Sequence, residues 1–210
     1  YGHGSSWCTM STGKVRVIGG SWRGRSIKVA DLPGLRPTAD RTRETLFNCL
    51  GQRVDDLTCL DMFAGTGALG FEALSRGAKL VHMIEQSPKA IQLIKENYQS
   101  LSRDGALGHL DLMRGDAIHQ VTNLLDDSVD IIFIDPPFSQ EDLYSKALVQ
   151  ALRINKKTIG SAIYIEHPKN VVIEQLLKEI PKNADLWEIR RTIRSGMAIG
   201  SLLAPKSHIN

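Results

Sequence analysis

Leu60-Asp61-Met62-Phe63-Ala64-Gly65-Thr66-Gly67-Ala68-Leu69-Gly70 decides the fold. Leu57 to Met62 reads as a strand and Ala68 to Ser75 as a helix. Glycines 65, 67 and 70 therefore sit where a strand turns into a helix, and they satisfy G-x-G-x-x-G. Such glycines let the backbone approach a ligand closely. The spacing alone does not choose that ligand. Asp61 stands just before the loop, where a carboxylate opposes a pyrophosphate but suits an ammonium group. The Phe63-Ala64-Gly65-Thr66-Gly67 wording also differs from the usual dinucleotide loop, so a nicotinamide oxidoreductase rests on glycine spacing only.

Outward from this loop, short apolar strands alternate with amphipathic helices. Strands are expected over 80–85, 110–114, 129–135 and 162–166, and helices over 87–101, 116–125, 141–152 and 168–179. Ser87-Pro88 is an N-cap followed by proline at the first helical position. Val129 to Asp135 is nearly all apolar, as a strand buried on both faces should be. Alternation of this kind demands an α/β fold with a mostly parallel sheet and helices on both faces. Residues 186–193 and 197–203 read as a closing antiparallel hairpin that adds an antiparallel strand at one edge.

Upstream, Val15 to Ile18 and Ser26 to Val29 read as a hairpin turned at Gly19-Gly20. A helix then runs to about Leu50, capped by Thr38 or Asp40, with Leu46, Phe47 and Leu50 on one face. This unit is too small to own a core and must pack on the larger domain C-terminal to it. Residues 11–43 carry eight basic side chains and two acids, a net +6 within a chain whose total is +3. Such asymmetry marks a surface for a polyanion. Its candidate contacts are Arg16, Trp22, Arg23, Arg25, Arg36, Arg41 and Arg43, with Trp22 able to stack on a base or pack inward. Residues 1–13, rich in Gly, Ser and Thr, read as a disordered or appended terminus. The expected division is 1–13, a basic polyanion-docking extension over 14–52, and a larger α/β domain over 53–205.

Hydrophobic residues make up 42% and charged residues 23% of the 210 residues, which excludes wholesale disorder. No apolar run approaches a membrane span. Three cysteines, Cys8, Cys49 and Cys59, lack C-x-x-C spacing, so a disulfide framework and a zinc finger are poor readings and a cytoplasmic setting is expected. The histidines show no metal spacing, and no metal is expected. There is no G-x-S-x-G elbow for a serine hydrolase.

Three further strand ends carry chemistry. Glu85 is placed to accept from vicinal ribose hydroxyls. Asp116 is placed to accept from an adenine amino group or to cap the next helix. Asp135-Pro136-Pro137-Phe138 is the sharpest signal. Two prolines offer no N–H and leave carbonyls pointing outward. A carboxylate beside the Pro136 carbonyl makes two acceptors, matching the two donors of an exocyclic amine. Phe138 offers a face for a planar base. Glu166-His167 ends a later strand near the expected cleft rim.

With these pieces in view, the sequence resembles class I S-adenosylmethionine-dependent methyltransferases of exocyclic nucleobase amines. It resembles most closely the bacterial RsmD family, which methylates guanine N2 in 16S ribosomal RNA. The blocks that carry the resemblance are Arg16 to Arg25, Arg36 to Asn48, Asp61 to Gly67, Glu85, Gly115-Asp116 and Asp135 to Phe138. The resemblance implies a Rossmann-like sheet of seven strands with the last pair reversed. It implies S-adenosyl-L-methionine as cofactor, held by Asp61, Phe63, Ala64, Gly65, Thr66, Gly67, Glu85, Gln86, Asp116 and Ala117. It implies catalysis at Asp135, Pro136, Pro137 and Phe138, and a monomer acting on 16S RNA or an assembling small subunit. The alternatives are a DNA adenine-N6 methyltransferase, whose amine fits the same frame, and a non-catalytic RNA-binding or assembly factor on this fold.

Overall fold

In a computed structural model of the chain, residues 13–32, 35, 38–105, 108–137, 140–181 and 184–207 are described. The expected terminus therefore lies, apart from Gly13, outside the described residues, as do Arg36 and Phe138. A two-stranded hairpin, β1 (Lys14–Arg16) and β2 (Ser26–Lys28), leads to α1 (Asp40–Cys49). Next come β3 (Thr58–Asp61), α2 (Ala68–Ser75), β4 (Leu80–Glu85), α3 (Pro88–Leu101), β5 (His109–Arg114), α4 (Ala117–Val121) and β6 (Ile131–Ile134). The chain ends with α5 (Glu141–Ile154), β7 (Ala162–Pro168), α6 (Ile173–Glu179), β8 (Trp187–Ser195) and β9 (Ala198–Pro205). Among the described residues no helix is long and apolar enough to cross a membrane.

The central sheet has seven strands in the order β5-β4-β3-β6-β7-β9-β8. The first five are mutually parallel. β9 runs antiparallel to both β7 and β8. The antiparallel strand is thus one place in from the edge, which corrects the expectation that it forms the edge itself. The crossover through α6 carries β8 past a vacant position, and the tight hairpin return fills it with β9. β3 and β6, at the centre, are buried along their whole length. One apolar cluster, including Phe47, Phe71, Phe133 and Tyr164, fills one face. A second, including Leu60, Ile132, Tyr144 and Leu148, fills the other. The architecture is the Rossmann-like class I arrangement.

Several local expectations shift. The N-cap of α1 is Ala39, with no side-chain bond, because the Thr38 hydroxyl donates instead to Asp135 at 3.4 Å and Asp40 accepts from Arg43 at 2.5 Å. α4 ends at Val121, where the Thr122 hydroxyl takes the His119 carbonyl at 2.6 Å. α6 begins at Ile173 rather than Pro168, because β7 stays paired with β9 as far as Pro168 and Ala198.

The extension shares the core of the larger domain. Val15, Val17, Trp22, Ile27, Val29, Leu46 and Phe47 belong to the same cluster as Phe71 and Phe133. Gly19-Gly20 does more than turn the chain. A Cβ on Gly20, whose φ is +77°, would lie 1.9 Å from the Ser75 carbonyl oxygen. Only glycine lets this backbone dock on the end of α2, where Ser21 N–H donates to Ser75 O at 2.8 Å. Asn97 of α3 clamps β2 by accepting from Lys28 N–H and donating to Lys28 O, both at 2.9 Å.

Trp22 is 4% exposed and packs in this core, so the sequence expectation that it contacts RNA is corrected. Arg43 is corrected likewise. It is 1% exposed and donates to Glu72, Asp40, Thr38 O and Arg16 O. Four of its five N–H groups are committed to protein acceptors, and at 1% exposure the guanidinium presents no surface to a phosphate.

Candidate active site

Parallel strands of this architecture open their carboxyl ends onto a common crevice. Asp61 ends β3, Glu85 ends β4, Asp135 follows β6 and Glu166 lies near the end of β7. Four acids thus stand at the carboxyl ends of four neighbouring strands. The sequence marks three of them as site residues. It marks Glu166 only as a rim residue, since the neighbourhood of that side chain depends on strand pairing.

The glycine loop is built as the motif requires. Gly65 and Gly67 have φ of +56° and +80°, and Gly67 opens α2. Ala64 N–H donates to Ile84 O at 2.9 Å, tying the loop to β4. The Thr66 hydroxyl accepts from Ala68 N–H at 3.2 Å inside the first turn. Phe63 is partly buried beside the second apolar cluster. Asp61 is 2% exposed and accepts from Gly70 N–H at 3.1 Å. Burial pushes its carboxyl up to about 7, the Gly70 N–H opposes this, and the charge of Glu85 adds to it.

Glu85 accepts from Gly65 N–H at 2.7 Å, and from Gln86 and Ser87 N–H at 3.0 Å each. This carboxylate organises both the glycine loop and the turn into α3. Asp116 serves as the N-cap of α4, accepting from His119 N–H at 2.9 Å, and Ala117 is buried behind it. The helix-cap reading of Asp116 is therefore realised just after β5.

Asp135 is partly exposed, with Pro136 buried and Pro137 exposed beside it. Burial raises its carboxyl well above the ordinary value, and the facing charges of Glu166 and Asp61 add to the rise. Two residues of the segment between β2 and α1 reach this end of the sheet. Thr38 donates to Asp135, and a Cβ on Gly65 would meet Leu35 at 3.0 Å. No local pattern in the sequence signals either contact. Ser195, at the turn of the β8–β9 hairpin, accepts from the Thr42 hydroxyl at 3.3 Å. α1 and the hairpin tip therefore form one side of the crevice.

The remaining arginines do not lie on one face. Arg16, 4.0 Å from Asp40, and the exposed Arg41 lie near the start of α1, at the crevice end. Arg23 and Arg25 lie past the docking of the hairpin on Ser75, at the far end of α2, about 10 Å along the helix axis from the glycine loop. Arg25 also donates to Ser100 O at 3.2 Å and pairs with Asp104 at 3.8 Å.

The sequence and the fold have counterparts among known proteins. The model of the family "Conserved hypothetical protein 95" matches residues 15–198. "Ribosomal RNA small subunit methyltransferase D" of Escherichia coli K12 is 38% identical over 181 residues, 86% of this chain and 84% of that protein. The protein of the same name from Haemophilus influenzae is 39% identical over 159 residues, 75% of this chain and 81% of that protein. The solved structure "Putative methyltransferase yhhF from Escherichia coli" superposes with a TM-score of 0.74 at 33% identity, covering 93% of this chain and all of that one. On the family model and these relatives, the chain belongs to the Conserved hypothetical protein 95 family, that of the small-subunit ribosomal RNA methyltransferase D.

Proposed function

We propose that this protein methylates the exocyclic N2 amine of a guanine in small-subunit ribosomal RNA, using S-adenosyl-L-methionine. The observation that carries the reading is the placement of two carboxylates with different tasks on adjacent parallel strands. Asp61 adjoins the glycine loop and pairs in register with Phe133, and Asp135, beside two prolines, stands two residues beyond Phe133.

The residues present fit the cofactor. Asp61 is buried with one N–H partner among the described residues, and an ammonium group would compensate that burial. Glu85 anchors the loop and retains acceptor capacity for a diol. A pyrophosphate would meet both acids. When bound, S-adenosyl-L-methionine supplies an electrophilic sulfonium methyl.

The chain's own work is to hold the amine. An aromatic amine is a weak nucleophile because its lone pair is delocalised into the ring. The Asp135 carboxylate and the Pro136 carbonyl accept its two N–H bonds, and this draws nitrogen toward a tetrahedral shape with its lone pair localised. Phe138 stacks on the base. Most of the catalysis is then orientation and electrostatics. The base must leave its stack to enter such a crevice.

Residues 14–52 form the docking extension and 53–205 the catalytic unit, acting as a cytoplasmic monomer on 16S RNA or an assembling subunit. Arg16, Arg41 and the exposed Arg194 of β8 frame the crevice end and meet phosphates there.

The deciding experiment is transfer of a labelled methyl group to total RNA, ribosomal subunits and DNA, followed by nucleoside analysis. The expected product is N2-methylguanosine in small-subunit RNA. N6-methyladenine in DNA would overturn the reading. Asp135→Ala should abolish transfer while leaving cofactor affinity within several-fold.

A further inference from the structure

Glu166 lies one register step beyond the pair Ile134–Ile165, so it stands abreast of Asp135 on the neighbouring parallel strand. The strands are roughly 5 Å apart. Side chains in register on adjacent strands share a face, which turns the two carboxyl groups toward one another. Glu166 is 6% exposed, and its Oε2 finds no hydrogen-bond partner among the described residues. Its partner on β9 is Gly200, whose missing side chain leaves room that the Tyr164 ring fills.

Among the described residues, the groups that face the pair are Asp61 from β3, Thr38 from the segment before α1, Tyr144 from α5 and Tyr164 from β7. None of these is a cation. Two carboxyl groups set side by side, Glu166 buried and Asp135 only partly exposed, resist carrying two negative charges when no cation faces them. A proton between them also gives the orphaned oxygen its partner.

We propose that Asp135 and Glu166 hold one proton between them, and that this pair takes up the proton released by the target amine. Glu166 is the positioning residue, acting through Asp135. The inference rests on the methyl-transfer reading above. In the step, nitrogen gives its lone pair to the methyl carbon and the carbon–sulfur electron pair leaves with sulfur. One N–H bond then breaks, its electron pair returning to nitrogen as the proton passes to Asp135. The pair goes from one shared proton to two and from singly charged to neutral, a change that burial favours. Burial and the charge of Glu166 raise Asp135 well above the ordinary carboxylate value, in the direction a proton acceptor near neutrality needs.

The test begins with infrared spectra of the ligand-free protein, in an Asp61→Asn background so that Asp61 contributes no signal. One protonated carboxyl is expected to persist at neutral pH, and to vanish when Glu166→Gln or Asp135→Asn is added. No such signal in the Asp61→Asn protein overturns the proposal, whether or not the Glu166 variant folds. A signal that survives Glu166→Gln in a folded protein overturns it too. In methyl transfer, Glu166→Gln should lower kcat about tenfold with KM for RNA nearly unchanged. It should also move the acid limb of the pH profile down by about one unit, because the amide holds Asp135 ionised. Glu166→Asp should restore part of both. The infrared arm needs no substrate. A shared proton without guanine methylation sinks the functional reading, whereas guanine methylation without a shared proton sinks this inference alone.

Discussion

Arg43 of α1 and Glu72 of α2 meet at 3.4 Å in the interior, the guanidinium 1% and the carboxylate 0% exposed. Glu72 also accepts from Ile18 N–H at 3.0 Å, Gly19 N–H at 2.9 Å and Arg76 Nε at 3.0 Å. Arg76 in turn lies over the Phe47 ring, 4.9 Å from its centroid. One buried carboxylate thus joins the hairpin, α1 and α2, which makes the extension an integral part of the fold.

Glu72→Ala should therefore be among the most damaging substitutions. It leaves two guanidinium groups and two backbone N–H groups without their acceptor, at a cost of about 3–5 kcal/mol. Thermal melting and limited proteolysis of residues 14–52 check this. A melting temperature equal to that of the wild type would mean water enters and replaces the carboxylate.

Asp61 predicts a pH dependence of stability. Its folded value, about 7, lies above the ordinary carboxylate value of about 3.9. The folded state therefore binds the extra proton between these values, and stability falls as pH rises through that window. Asp61→Asn removes the penalty. The variant should be more stable than the wild type above neutral pH, by up to about 4 kcal/mol, and the gain should disappear near pH 4 or below. Its cofactor binding should be lost. Denaturant unfolding across this range is the measurement.

Glu85→Ala should weaken cofactor binding by about 1–3 kcal/mol. It removes an acceptor for the ligand and the three backbone bonds that shape the glycine loop. Calorimetric titration gives the affinity. Amide hydrogen exchange at Gly65 should accelerate in the same variant, and an unaltered rate would assign the loop's order to its own turn.

Position along the fold separates two pairs of arginines. Arg41→Ala with Arg194→Ala should weaken RNA binding and lower its salt slope by up to about 2 units. Arg23→Ala with Arg25→Ala should change the slope less, because that pair sits at the far end of α2 and Arg25 already pairs with Asp104. Affinity measured at several salt concentrations compares them. A larger loss from the second pair would place RNA along the hairpin instead.

Much of this was legible in the chain because it depends on near neighbours. The strand–glycine–helix passage from Thr58 to Ser75, the Ser87-Pro88 cap and the acids at the ends of β3, β4 and β6 are encoded by local spacing. Periodicity fixes which residues face inward, and turn chemistry fixes where strands end. The fates of Trp22 and Arg43 were decided only in three dimensions. A tryptophan among arginines and an arginine two residues from another look alike whether they meet RNA or a core. Their burial depends on Phe47, Phe71 and Glu72, which other segments supply. Glu166 and Thr38 join Asp135 for the same reason: strand register and chain crossing bring together carboxyl and hydroxyl groups 31 and 97 residues apart. Local sequence carries no signal for such encounters, because the free energy that enforces them is the burial of the whole sheet.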